Sequence, residues 1–200
     1  VAQNVAGIAI AANDADALQP ALTEAMDAGI KVISLDSAVN KDSRQTHIQQ
    51  ADPEKIGRGL IQAAYEMVDG NGGIAVLSAT AQATNQNLWI EWMKKELEEN
   101  PEKYANTPLI KVAYGDDDPT KSTSETQALL TDSSIKVIIA PTTVGMLAAG
   151  KVLQDKQSDV KLTGLGLPSE MAPFIEDGTC PWMYLWNPVD IGYLSGYTMD

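Results

Sequence analysis

The sequence contains only one cysteine and one histidine in 200 residues. Because Cys180 has no second cysteine to pair with, the chain cannot form an internal disulfide or a metal site built from several thiolates. Any Ser-His-Asp triad or histidine-rich metal site would have to include His47. The P-loop and the G-x-S-x-G motif of many hydrolases are also missing. We therefore predict a protein that is not an enzyme and that uses no cofactor or metal.

Positive charge and long hydrophobic runs are scarce as well. There are 14 lysines and arginines against 27 aspartates and glutamates, which gives a net charge of −13. Without a basic cluster, a nucleic acid or an anionic membrane surface is disfavoured as the main partner. Runs such as residues 137–140 are far too short to span a bilayer. The first ten residues lack the features of a signal peptide, which indicates either a cytosolic protein or a mature or truncated chain.

Short apolar runs alternate with segments whose apolar residues recur at helical spacing. This alternation predicts an α/β fold with parallel sheets flanked by helices. The predicted strands are 5–11, 30–35, 46–49, 74–78, 109–114, 136–140, 160–165 and 182–186. The predicted helices are 13–29, 53–68, 84–99, 119–130, 142–153 and 168–177.

Polar side chains follow several of these strands, where ligands of such folds bind. Amides, hydroxyls, one carboxylate and an indole occur in the segments 36–37, 83–86, 141–143 and 186–188. Carboxylates and amides satisfy the paired donors and acceptors of a sugar, and a flat ring packs on its C–H face. No excess of lysine or arginine accompanies them, which disfavours a phosphorylated ligand. We therefore predict a neutral sugar as the ligand.

Several segments, in their order along the chain, resemble the type I periplasmic sugar-binding proteins of ABC transporters. They include GIAIAANDADALQPALTEAMDAGIKVISLDS, ATNQNLWIEWM, VIIAPTTVGMLAAGKVL and WNPVDIGYL. The branch with rhamnose-binding proteins and autoinducer-2 receptors is the most similar. The resemblance implies a two-lobed fold that closes on its ligand by a hinge. Residues 1–48 and 187–200 would be parts of the first lobe, 52–182 the second lobe, and 47–51 and 183–187 hinge crossings.

The resemblance also implies a set of ligand-binding residues. Positions that contact the ligand in the autoinducer-2 branch are occupied here by Asp36, Asn85, Gln86, Pro141 and Thr143. Asn85 stands where that branch has an aspartate and Thr143 where it has an alanine, which disfavours autoinducer-2. The segments WNPVDIGYL and GLPSEM are more similar to the rhamnose-binding side, so we favour rhamnose or a related deoxyhexose.

The aromatic segment PWMYLWNPVDIGY would form a hinge crossing on this interpretation. Trp186 and Asn187 would lie beside the ligand at its end. Tyr193 and Tyr197 would fall on the returning helix, where packing is their expected role.

Members of this family carry additional segments at both ends of the part seen here, so we expect the chain to be a fragment. The expected partners are a small-molecule sugar and a membrane ABC permease, with no nucleic acid, and the protein is expected to be a monomer. Its expected location is periplasmic or extracellular, with a lipid anchor on the full-length protein left open. A sugar-sensing domain of a transcription regulator, which shares this fold, is the alternative from another class.

Structural interpretations compete with the binding ones. Asp36 could have the purely structural role of stabilising a turn after its strand, and Asn85 could have that of beginning a helix. Trp89 and Trp92 are spaced for packing; we assign Trp92 to the core and leave Trp89 open. Asp116–Asp118 lacks the ligand pattern of an EF-hand, so we predict a solvated turn that caps the next helix.

Overall fold

A computed structural model describes residues 3–199, and its chain divides into two compact units. Unit 1 contains the residues up to Asp52, the segment Gln82–Asn87 and the residues from Trp186 onward. Unit 2 contains Pro53–Ala81 and Leu88–Leu185. The segment 82–87 therefore belongs to unit 1, whereas the sequence predicts a second lobe that contains all of residues 52–182.

Unit 1 is built on a three-stranded parallel sheet. Its strands β1 (Gly7–Ile10), β2 (Lys31–Leu35) and β3 (Thr46–Ile48) lie in the order β1-β2-β3. Helix α1 (Gln19–Asp27) connects β1 to β2, and helix α7 (Pro188–Met199) packs against β2 and β3. The core of this unit consists of Ala12, Leu22, Ala25, Ile30, Val32 and Val39.

Unit 2 is built on a four-stranded parallel sheet in the order β5-β4-β6-β7. The strands are β4 (Gly73–Ser78), β5 (Leu109–Tyr114), β6 (Ile135–Ala140) and β7 (Lys161–Gly164). The helices are α2 (Pro53–Met67), α3 (Thr84–Glu99), α4 (Pro119–Leu129), α5 (Thr143–Asp155) and α6 (Pro168–Glu176). Strand β4 is buried along its whole length, as expected for a central parallel strand covered on both faces. The parallel α/β fold is thus confirmed. The first turn of α3 belongs to unit 1 and the rest of the helix to unit 2.

The end of β7 requires a glycine. Gly164 has φ +148°, and a Cβ at this position would lie 1.9 Å from the carbonyl oxygen of Ala140. Only glycine combines this backbone conformation with such a close approach of two strands.

Three predictions of local structure need correction. Residues 182–186 do not form a strand; only a single bridge joins Tyr184 to Leu165, because the rest of the segment has no partner strand to pair with. Trp89 is the buried tryptophan, at 1% exposure, whereas Trp92 is half-buried beneath the Arg58 and Lys95 side chains. The first helix begins at Gln19 rather than near residue 13, since Asp14 accepts hydrogen bonds from two backbone amides and forms a turn instead.

Two further expectations concern the surface. The rings of Tyr193 and Tyr197 contact each other, with centroids 5.1 Å apart, but the residues are 65% and 68% exposed, so most of their surface is not packed. The turn at Asp116–Asp118 is confirmed, because the Asp118 carboxylate accepts a hydrogen bond from the Lys121 amide and caps α4. Within residues 3–199, none of the helices has the length and apolar character needed to cross a membrane.

Candidate functional site

Asp36 lies directly after β2 and has an unusual backbone conformation. Its φ is +56°, a left-handed value that is uncommon outside glycine but that aspartate and asparagine tolerate best. Its amide donates a hydrogen bond to the carbonyl oxygen of Ile48, 3.1 Å away at the end of β3. The backbone of Asp36 is therefore fixed by the sheet rather than by its side chain.

The Asp36 carboxylate is incompletely paired. Its Oδ1 atom is buried and has no hydrogen-bond partner among the residues that the structure describes. Its Oδ2 atom accepts a hydrogen bond from Asn85 Nδ2 across 3.5 Å, which is long for this type of bond. Burial raises the pKa of the Asp36 carboxyl above its ordinary value. A buried carboxylate oxygen without a donor is costly, and a ligand hydroxyl would satisfy it.

Asn85 and Gln86 stand in the first turn of α3, within unit 1. The Asn85 Oδ1 atom accepts a hydrogen bond from the Gln86 amide at 2.7 Å, so Asn85 does help to begin a helix. Its Nδ2 group points to Asp36. Gln86 is buried, at 7% exposure. The structure thus brings Asp36 and Asn85 together, and the contact of either residue with a ligand stays a prediction.

Thr84, the first residue of α3, is a component that the sequence analysis missed. Its hydroxyl lies 3.0 Å from the Ala38 amide and 3.3 Å from Ser37 Oγ. The signal available in the sequence was only its place in a polar segment after a strand. Nothing in a local pattern shows which distant loop such a hydroxyl contacts.

Trp186 and Asn187 immediately precede α7 in unit 1. Trp186 is half-buried and Asn187 is exposed. The Asn187 Oδ1 atom accepts a hydrogen bond from the Val189 amide at 3.0 Å, which satisfies one of the free amides at the start of the helix. This oxygen therefore has a structural role, and the proposed contacts of both residues with a sugar stay predictions.

Pro141 and Thr143 belong to unit 2, at the end of β6. Pro141 is buried and Thr143 is exposed. Thr143 lines a groove of about 630 Å³ together with Val144, Leu147 and Leu167. Between the two predicted residues, the hydroxyl of Thr142 donates a hydrogen bond to the carboxylate of Asp117. Asp117 and its neighbour Asp116 both have left-handed φ angles, 51° and 54°.

His47, on β3, is held in a hydrogen-bonded chain. Arg44 donates to Ser34 Oγ at 2.7 Å, and Ser34 Oγ lies 2.8 Å from His47 Nδ1. The other ring nitrogen, Nε2, lies 3.1 Å from Gln49 Oε1. Burial, followed by the charge of Arg44, lowers the pKa of His47. The chain is complete when the imidazole is neutral, with Ser34 donating to Nδ1 and Nε2 donating to Gln49.

Within residues 3–199, this arrangement contains no nucleophile activated by a base and no cluster of metal ligands. Ser34 and His47 are adjacent, but Ser34 is completely buried and its oxygen already accepts from Arg44. In the described part of the chain, no group of three His, Cys, Asp or Glu side chains is placed to hold a metal ion. What the site offers is a fixed set of polar groups suited to binding.

Comparisons with known proteins agree with a binding role. A family model described as a periplasmic binding protein domain matches residues 1–200. An ABC transporter solute binding protein from Clostridium phytofermentas, solved with bound L-rhamnose, is 52% identical with a TM-score of 0.94, over 99% of this chain and 63% of that one. A sugar ABC transporter structure from Actinomyces odontolyticus is 40% identical with a TM-score of 0.72, over 98% of this chain and 64% of that one.

A more distant structure shares the fold. LsrB from Clostridium saccharobutylicum, solved in complex with AI-2, is 24% identical with a TM-score of 0.89, over 99% of this chain and 64% of that one. The chain therefore spans less than two thirds of the length of each of these three proteins.

Proposed function

The chain belongs to the periplasmic binding protein domain family, and from that premise we propose that it is part of a receptor that captures L-rhamnose or a related deoxyhexose for an ABC permease. The family consists of transport receptors rather than enzymes. The 52% identical protein from Clostridium phytofermentas holds L-rhamnose, which supports this sugar over other members of its class.

The observation that carries the proposal is the buried Oδ1 atom of Asp36, which has no hydrogen-bond partner within residues 3–199. A carboxylate oxygen accepts hydrogen bonds and donates none, so its natural partner is a hydroxyl. Asn85 supplies a donor and an acceptor beside it. A neutral polyhydroxylated ligand matches this pair because each of its hydroxyls both donates and accepts, whereas an anionic ligand would be repelled by Asp36.

The proposed mechanism is capture by hinge closure. Units 1 and 2 would act as the two lobes, with residues 47–51 and 183–187 as hinge crossings. Asp36, Asn85 and Gln86 would hydrogen-bond the sugar hydroxyls, Trp186 would pack on the ring, and Asn187, Pro141 and Thr143 would complete the contacts. The receptor would then deliver the sugar to the permease on the extracytoplasmic side of the membrane.

Calorimetric titration of the protein with L-rhamnose, and separately with autoinducer-2, tests this proposal. We expect L-rhamnose to bind at one site with a change in tryptophan fluorescence. Binding of autoinducer-2 without L-rhamnose would contradict the choice of ligand and show that Asn85 and Thr143 are tolerated in a receptor for that molecule. Binding of neither molecule would contradict the proposal as a whole.

A further inference from the structure

The hydroxyl of Thr84 joins the first turn of α3 to the loop that follows β2. Its Oγ1 atom accepts a hydrogen bond from the Ala38 amide at 3.0 Å. It also lies within donating distance of two acceptors, the carbonyl oxygen of Ala38 at 3.2 Å and Ser37 Oγ at 3.3 Å. A threonine hydroxyl has one proton and two lone pairs, so this contact uses it both as donor and as acceptor.

The loop that receives Thr84 is itself fixed to the rest of unit 1. The Ser37 hydroxyl donates to the carbonyl oxygen of Ala12 at 2.7 Å, and the Ala12 amide donates to the Ser37 carbonyl oxygen at 3.4 Å. Ser37 is buried, at 7% exposure. The segments after β1 and β2 and the start of α3 are thus tied together, and Thr84 supplies the link between α3 and Ala38.

Thr84 is adjacent in sequence to Asn85, and Ala38 follows Asp36 by two residues. Anchoring Thr84 to Ala38 therefore sets how close Asn85 Nδ2 comes to Asp36 Oδ2, which is 3.5 Å in this structure. We propose that Thr84 is a positioning residue, which contacts no ligand and holds Asn85 in place against Asp36. This inference rests on the proposed function, because it concerns the geometry of the proposed sugar site.

Three variants distinguish a role of Thr84 in positioning Asn85 from a role only in stabilising the fold. Thr84→Val keeps the branched shape and removes the hydroxyl, whereas Thr84→Ser keeps the hydroxyl. Thr23→Val makes the same chemical change at an exposed threonine of α1 in unit 1 and serves as the matched control. Each variant is titrated with L-rhamnose by calorimetry, and exchange of the Ala38 amide with deuterium is followed in the ligand-free protein.

We expect Thr84→Val to weaken L-rhamnose binding about tenfold, which corresponds to the loss of one or two neutral hydrogen bonds. It should also accelerate exchange of the Ala38 amide. Thr84→Ser should restore affinity to within about threefold of wild type, since its hydroxyl can make the same bonds. Thr23→Val should match wild type in both measurements.

Two results would overturn the inference alone. Unchanged exchange at Ala38 in Thr84→Val would show that the tether is absent, whatever the ligand. Wild-type affinity in Thr84→Val, with wild type itself binding L-rhamnose, would show that the tether positions nothing of importance for binding. If wild type does not bind L-rhamnose, the proposed function is wrong, and so is the inference that depends on it. The exchange data would still show whether the hydrogen bonds between Thr84 and Ala38 exist.

Discussion

Replacing Asp36 with asparagine is expected to stabilise the ligand-free protein and to weaken sugar binding. Asp36 Oδ1 is buried and has no hydrogen-bond partner in the described part of the chain. A buried polar group without a partner costs about 1–3 kcal/mol, or more when it is charged. Asparagine keeps the size of the side chain and tolerates the left-handed backbone at this position. We therefore expect Asp36→Asn to raise the free energy of unfolding at pH 7 by about 1 kcal/mol, the low end of that range, because the amide still leaves a polar atom buried.

The pH dependence gives a second signature. Because burial raises the pKa of Asp36 in the folded protein above the ordinary 3.8, the folded state holds this proton at a pH where the unfolded chain has released it. The contribution of Asp36 to wild-type stability should therefore fall as the pH rises from about 3.8 through the raised pKa, and the loss should persist at neutral pH. Asp36→Asn should lack this component.

Binding should change in the opposite direction to stability. A hydrogen bond to a charged group contributes about 1.5–3 kcal/mol, so Asp36→Asn should weaken L-rhamnose binding roughly ten- to a hundredfold. The assay is urea unfolding at several pH values, with and without L-rhamnose. Asp42→Asn removes the same charge at an exposed site in unit 1 and should match wild type. A less stable Asp36→Asn protein with unchanged affinity would refute the reasoning.

Two further predictions concern the scaffold. As the pH falls from 7 to 5, the contribution of His47 to the free energy of unfolding should decrease, because the unfolded chain protonates its histidine near pH 6.5 while burial and the charge of Arg44 lower the pKa of His47 in the fold. NMR titration of this single histidine should give a pKa below 6.5. A pKa at or above 6.5 would contradict the hydrogen-bonded chain. Gly164→Ala should destabilise the protein by about 3 kcal/mol or more, because the new Cβ would overlap the Ala140 carbonyl oxygen. The control is Gly59→Ala in α2, where a Cβ meets nothing within 4 Å; this change should stabilise the protein by about 0.5–1 kcal/mol. Equal effects of the two substitutions on the free energy of unfolding would exclude the steric explanation.

Local patterns predicted the order of helices and strands well because most of these elements are set by apolar periodicity and by residues such as Pro53 and Pro168 at helix starts. They failed at residues 182–186, where apolar and aromatic content suggested a strand. A strand also needs a neighbouring strand to pair with, and within this segment only Tyr184 forms a bridge, to Leu165. Trp89 and Trp92 illustrate the same limit, because helical spacing does not tell which of two residues three apart faces the core.

The candidate site was predictable in part. The position of Asp36 after a parallel strand was enough to select it as a site residue. Its left-handed backbone and its buried, unpartnered oxygen were not predictable, because they depend on the Ile48 carbonyl and on how the sheet of unit 1 closes around the side chain. The tether at Thr84 joins residues 46 positions apart, so only the folded chain reveals it.

The central claim is that a sugar hydroxyl satisfies the buried oxygen of Asp36. A crystal structure of the protein grown with L-rhamnose tests it most directly. The account predicts a sugar hydroxyl within about 2.5–3.0 Å of Asp36 Oδ1, with Asn85 hydrogen-bonded to the same molecule. A sugar bound elsewhere, with Asp36 Oδ1 still unpartnered, would contradict it.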